Sequence, residues 1–374
     1  MCLPVCPTYQ ETGRETSSPR GRIYLARGVA EGAIALDGAV AHEMHFCLDC
    51  RACESVCPAG VRYGRIVESM REEIDARGVR GRWRRALHRA VLRGTLGSPA
   101  RIEAAMSLLR AYQWSGLQRA LRASGLVRLV PPLARADALV PQLDIPHRPL
   151  AVVPGRGKRR GRVALFVGCV MPHLLPSVNR ATVEALVHNG FDVEVPAGQG
   201  CCGALLAHDG DAAGAAWLRE RNRRAFSSSG IDAVVVSSAG CGAALKGGGD
   251  GLARRVRDVA ELLVDVGLVP PGGSLPLRVA YDDPCHLLHA QRIAEAPRAL
   301  LRAIPGLELV DLPGSQDCCG AAGIYNLTHP QMAGRLLARK IQALRELRPH
   351  ALATGNPGCA LHLAAGAREA RLEV

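Results

Sequence analysis

The 374-residue sequence predicts a multidomain protein of mixed α+β and α/β class. A helical, cysteine-rich amino-terminal domain precedes two copies of an α/β module with parallel strands. Three observations predict this. Cysteines crowd the beginning of the chain at short, regular gaps. From residue 163 onward, short β-branched runs alternate with segments of helical spacing. Within that half, Cys169, Cys201, Cys202 and Cys241 recur as Cys285, Cys318, Cys319 and Cys359, at offsets of 116, 117, 117 and 118 residues. A near-constant offset marks an internal duplication, each copy being one supersecondary unit packed against its twin.

Residues 1–75 hold the first cysteine group in short loops, with helices expected near Ser18–Glu31 and Gly64–Ala76. Residues 76–162 form a connector. The spacing of Ile102, Met106, Leu109 and Tyr112 is helical, with breaks at Gly97, Pro99 and Pro131–Pro132. Pro141–Arg162 carries scattered prolines and a basic cluster without periodicity, and reads as a linker. The first module, 163–270, has strands at Val163–Val167, Phe191–Val195 and Ala233–Ser237. The second, 271–374, repeats them at Leu277–Tyr281, Leu307–Asp311 and Ala351–Thr354.

The net charge of +13 is nearly all arginine, since lysine occurs only at Lys158, Lys246 and Lys340. Arg77, Arg80, Arg82, Arg84, Arg85, Arg89 and Arg93 crowd one stretch around Trp83, but no nucleic-acid recognition module accompanies them. No nucleic acid is therefore expected as a partner, and the charge suits an acidic protein or an anionic membrane surface. The apolar runs Val163–Met171 and Ala260–Val269 fall short of the roughly 20 residues a spanning helix needs. Without a signal-peptide pattern at its start, the chain is expected in the cytoplasm, peripheral at most on the inner face of the membrane. In that reducing compartment 14 cysteines point to metal binding or redox chemistry, not to disulfides.

Cys47, Cys50, Cys53 and Cys57, followed by Pro58, fit the ferredoxin spacing C-x2-C-x2-C-x3-C-P without a mismatch. In that pattern three thiolates converge on one [4Fe-4S] cubane while the fourth serves another cluster. A structural zinc site is the alternative, although zinc prefers C-x2-C pairs set far apart. Cys2 and Cys6, followed by Pro7, repeat the end of the same motif. By the crossover rule Cys6 completes the set of Cys47, Cys50 and Cys53, leaving Cys2 and Cys57 as an incomplete second set. The functional protein is accordingly expected to extend a few to about twenty residues before Met1, where a first C-x2-C would lie.

The repeated Cys-Cys-Gly sites put thiols near the carboxyl ends of parallel strands, where open α/β sheets bind ligands. Gly203 and Gly320 are expected to let the backbone pass close to the bound group. Gly198, Gly200 and Gly203 spell G-x-G-x-x-G, but two variable positions are Cys201 and Cys202 and the second copy lacks the first two glycines. Dinucleotide binding is therefore not expected. His173, His286, His289, His329 and His362 lie near these motifs as donors to cluster sulfur, proton carriers or plain structural groups.

C-P-T-Y-Q at 6–10, S-P-R-G-R-I at 18–23, C-L-D-C-R-A-C-E-S-V-C-P-A-G-V at 47–61, G-C-C-G-A at 200–204 and C-C-G-A-A-G-I-Y at 318–325 carry a resemblance. The chain resembles the glycolate oxidase (glycolate dehydrogenase) iron-sulfur subunits over its whole length. The resemblance implies an electron-transfer subunit of a 2-hydroxy-acid dehydrogenase, with [4Fe-4S] clusters in the ferredoxin-type part. FAD and substrate are then expected on flavin-binding partner subunits, and a quinone or another electron acceptor downstream. Each Cys-Cys-Gly module offers four cysteines where the related heterodisulfide reductase subunit has five, so a further cluster there stays open. The competing reading is a heterodisulfide reductase-like thiol/disulfide oxidoreductase.

Overall fold

The computed structural model describes residues 1–143, 151–228 and 230–374. The middle of the expected linker, 144–150, lies outside the described residues.

In the amino-terminal part, the helix Pro7–Thr12 starts directly after Cys6, because a proline in the first turn sacrifices no helical hydrogen bond. The helix Pro19–Ala30 is capped by Ser18, whose hydroxyl accepts the Gly21 N–H. The helix Tyr63–Ala76 lies where its apolar spacing placed it. Sequence reading missed the helix Gly38–Phe46, which Asp37 caps by accepting from the Ala39 and Val40 amides. That helix delivers Cys47 at its carboxyl end. Val40, Met44, Tyr63, Val67 and Ile74 form the local core. Arg22, only 1% exposed, donates to the Glu43 carbonyl and to Thr8 Oγ1 and so locks the first helices to the third.

The connector is helical at Arg82–Leu96, Pro99–Trp114, Leu117–Ala123 and Pro131–Leu139. Much of its basic run is spoken for: Arg80 pairs with Asp209, Arg85 and Arg89 with Asp75, and Arg93 with Asp211. These arginines tie the connector to the first helices and to the first module.

Among the described residues eight strands follow: β1 Val152–Val153, β2 Gly161–Phe166, β3 Phe191–Glu194, β4 Ala233–Val236, β5 Val256–Asp258, β6 Arg278–Tyr281, β7 Glu308–Val310 and β8 Ala351–Ala353. They form one sheet in the order β1-β3-β2-β4-β5 and another in the order β7-β6-β8. Every pairing is parallel except β1 with β3. The shared order β3-β2-β4 and β7-β6-β8 is the duplication seen in three dimensions. Two edge strands depart from expectation. β1 lies inside the supposed linker, and β5 is too short and too charged, V-R-D, to show strand periodicity. Its last residue, Asp258, closes a capping box with Glu261 on the next helix.

The central strands are buried on both faces. Val163, Leu165, Val193 and Val235 pack into one core, whereas Ala164, Phe166, Val234 and Val236 pack into another, where Phe166 meets Phe226. Helices cover both sides of such a sheet, so its strands read as continuous apolar runs instead of alternating ones.

Candidate functional site: three cysteine centres

Cys6, Cys47, Cys50 and Cys53 line one small, largely apolar cavity together with Val5, Leu48 and Tyr63. Cys6 stands at the start of its helix, Cys47 at the end of Gly38–Phe46, and Cys53 inside the short helix Ala52–Ser55. Asp49 and Arg51 adopt left-handed backbone with φ of 51° and 61°, which coils the intervening loop around the cavity. Left-handed backbone is disfavoured away from glycine, so surrounding structure must hold it. Arg71 does much of this. Buried at 3% exposure, it donates to the carbonyls of Met44, Cys47 and His208. Donors also reach sulfur: Asp49 N–H and Tyr63 O–H lie 3.3 and 3.5 Å from Cys47 Sγ. Burial pushes the Cys53 thiol up, and the neighbouring Cys47 and Cys6 push it further.

This donor set fits a [4Fe-4S] cluster, which needs four thiolates in a water-poor pocket with hydrogen-bond donors to sulfur. Cys2 packs instead on the core of the first helices, and Cys57 lines a separate cavity with Ser55, Leu288 and His289.

In the modules the thiols form two strings at the carboxyl ends of the strands. In the first, Cys169, Cys201, Cys202 and Cys241 neighbour one another in that order. Hydrogen bonds from Cys169 and Cys202 bring Cys201 down to about 4. In the second, Cys285, Cys318, Cys319 and Cys359 are linked in the same order, with Cys319 and Cys359 sulfurs 3.1 Å apart. Gly203 and Gly320 have φ of +88° and +91°. A Cβ there would meet the Ala215 and Ala333 carbonyls at 3.1 and 2.8 Å, so these glycines make room for a later helix of the same module.

Several supports escaped sequence reading. In the first module Asn222 accepts the Gly200 N–H and donates to the Cys201 carbonyl. In the second, Lys340 takes the equivalent bracing task, donating to Asp282 Oδ1 and to the Gly314 and Ser315 carbonyls just before Cys318. Asn356 spans the two modules, accepting the Gly240 N–H and donating toward Cys359 Sγ. Only the D-D-P-C run before Cys285 hinted at such a group. Of the five histidines singled out, His286 contacts a cysteine, its Nδ1 lying 3.5 Å from Cys285 Sγ. His329 stacks on Tyr325, His289 reaches Ser55 and Gln316, and His173 sits beside Glu103.

The first centre abuts the second module. Leu48 and Cys50 share one buried cluster with Cys285, Cys318 and Tyr325, and the Tyr325 hydroxyl donates to the Phe46 carbonyl at 2.9 Å. Cys50 is held well above the ordinary thiol range by burial and then by Cys285.

Comparison with known proteins follows the same division. The 4Fe-4S dicluster domain matches residues 1–61, the linker region of the glycolate oxidase iron-sulfur subunit matches 83–140, and the cysteine-rich domain matches 163–246 and 279–364. A probable glycolate oxidase iron-sulfur subunit of Bacillus subtilis (strain 168) is 36% identical over 98% of this chain and 87% of its own. The chain belongs to the glycolate oxidase iron-sulfur subunit family. The glycolate oxidase iron-sulfur subunit of Escherichia coli (strain K12) is likewise 36% identical, over 98% of this chain and 89% of its own. One of the fumarate reductase (CoM/CoB) subunits of Methanothermobacter marburgensis is 37% identical over 54% of this chain and 41% of its own. As a member of the glycolate oxidase iron-sulfur subunit family, the chain thus carries both its linker and its paired cysteine-rich domains. Among the described residues no helix is long and apolar enough to cross a membrane.

Proposed function

We propose that this chain takes electrons from a flavin-bearing partner subunit that oxidises glycolate, or another 2-hydroxy acid, and passes them to an acceptor such as a quinone. In this reading FAD and substrate stay on the partner. Cys6, Cys47, Cys50 and Cys53 hold a [4Fe-4S] cluster, which supplies one-electron chemistry when bound. Cys2 and Cys57 are two of the four thiolates a second cubane needs, and the two Cys-Cys-Gly strings are candidate ligands of a further cluster. The working units are 1–75, 76–162, 163–270 and 271–374.

The observation that supports this reading is that Cys50, Cys285 and Cys318 pack in one cluster, so a ferredoxin-type ligand lies beside the second thiol string. The chain's own contribution is to exclude water from these thiols, to donate hydrogen bonds to Cys47 Sγ from Asp49 and Tyr63, to brace the Cys47 loop through Arg71, and to hold the first centre to the second module through Tyr325. Trp83, Leu87 and Val91 stay exposed on the helix Arg82–Leu96. They suit peripheral association with the cytoplasmic face of the membrane, where a quinone dissolves. The test is glycolate-dependent dye reduction with and without the flavin subunits. Activity is expected only with both, and turnover by the flavin subunits alone at the full rate of quinone reduction would refute the role.

A further inference from the structure

Between the first cysteine centre and the second thiol string lies a group of side chains that sequence reading did not connect. Asp49, His208 and His286 come from the ferredoxin-type loop, the first module and the second module. One ligand atom from each lies within 4.8 Å of the other two. Asp49 is 1% exposed, and neither of its carboxylate oxygens receives an aligned hydrogen bond. His208 Nδ1 approaches Asp49 Oδ2 to 2.9 Å, yet it too lacks hydrogen-bond alignment. His286 Nε2 is buried without a partner, while its other nitrogen faces Cys285 Sγ. An imidazole that donates from Nδ1 keeps its lone pair on Nε2, the arrangement by which a neighbouring acceptor prepares a metal-binding histidine.

An ion-pair network is the competing explanation, with Asp49 shared between His208 and Arg51, the latter 3.6 Å away. That network leaves His286 Nε2 facing a carboxylate and an imidazole with nothing to bond. A cation would use all three lone pairs at once. Buried polar atoms are rarely left unpaired, because each costs about 1–3 kcal/mol.

We propose that Asp49, His208 and His286 bind one divalent first-row transition ion, distinct from any iron held by the cysteines. One carboxylate and two imidazoles suit Zn2+ or Fe2+ and are too nitrogen-rich for Ca2+ or Mg2+. Three protein ligands leave at least one position open. Because each ligand belongs to a different part of the chain, the ion pins the ferredoxin-type loop to both modules at the place where their thiols meet. The His208 and His286 rings already lie together, their centroids 5.4 Å apart and their planes at 69°.

Cobalt(II) reports on the ligand type. The full chain is prepared anaerobically with its iron-sulfur centres assembled, treated with Co2+, dialysed, and assayed for cobalt, iron, zinc and acid-labile sulfide. One retained Co2+ per chain is expected, without a sulfur-to-cobalt charge-transfer band. His208→Ala, and separately Asp49→Asn, should weaken its retention by at least roughly 100-fold, the upper range for disturbing even the outer shell of such sites. Iron and sulfide should stay unchanged in His208→Ala. Zinc, or iron in excess of sulfide, in the untreated protein would identify the natural ion. No retained cobalt in a wild type that also holds neither zinc nor iron in excess of sulfide overturns the proposal whether or not the variants fold. So does cobalt bearing the thiolate band, or cobalt held equally well by His208→Ala.

Discussion

Replacing Lys340 by methionine tests how the second thiol string is braced. Lys340 and Asp282 are 2% and 1% exposed, with Nζ 2.5 Å from Oδ1. The same ammonium donates to the Gly314 and Ser315 carbonyls at 2.6 and 2.9 Å, on the loop that leads to Cys318. Methionine conserves the stem and removes every one of these bonds. Breaking a buried pair by deleting one partner costs about 3–5 kcal/mol, so the loop's opening equilibrium should rise by roughly 150- to 5,000-fold. Hydrogen–deuterium exchange of the 311–320 amides reads that change directly.

The pH dependence has a definite sign. Burial pushes Asp282 up from 3.8 to about 7, and Lys340 opposes the shift. A carboxyl whose folded pKa lies above its unfolded value contributes stability at low pH and loses it as pH rises toward the folded pKa. Without Lys340 the folded pKa moves higher still. The ionisation-linked part of the difference is therefore absent near pH 5, where both proteins carry Asp282 protonated, and grows above pH 7. Lys340→Met combined with Asp282→Asn should remove that growth. An exchange change below tenfold at pH 8, or a difference that widens toward pH 5, would refute the reasoning.

Cys50→Ser should cost one cluster's worth of iron and sulfide and abolish electron flow in the reconstituted complex, since a hydroxyl deprotonates far less readily than a thiol; iron analysis and dye reduction check it. Cys201→Ala and Cys318→Ala should each lower activity while leaving the ferredoxin-type signal in electron paramagnetic resonance intact; normal transfer by both would make the strings structural. Gly320→Ala should destabilise more than Gly203→Ala. Both force about 1–2 kcal/mol of left-handed strain, but at Gly320 the new Cβ also presses a backbone carbonyl at 2.8 Å, a difference that thermal melting of the two variants resolves. Tyr325→Phe removes the hydroxyl bond to the Phe46 carbonyl and should loosen the contact between the first centre and the second module by about 1 kcal/mol, visible as faster exchange at 44–50.

Cysteine spacing and β-branched runs are local properties, and they carried the architecture. The duplicated strands, the helix Tyr63–Ala76 and the family itself were legible from residues close together in the chain. The helix Gly38–Phe46 was not, because its core contacts Val40 and Met44 make sense only against Tyr63 and Val67. Nor was β5, which is a strand only because β4 offers it an edge. The glycines of the Cys-Cys-Gly motifs were visible, but the carbonyl that crowds each of them was not, since it belongs to a later helix.

What surrounds the thiols was decided by tertiary structure alone. Arg71, Asn222 and Lys340 stand far along the chain from the cysteines they support, and Asn356 reaches across to the other module. The meeting of Asp49, His208 and His286 joins three parts of the chain. Ligand spacing is written along the backbone because three of the four thiols in the first cavity, Cys47, Cys50 and Cys53, come from one loop. Buried donors and acceptors need only meet in space, and burial is set by how whole modules pack, so no periodicity in the sequence announces them.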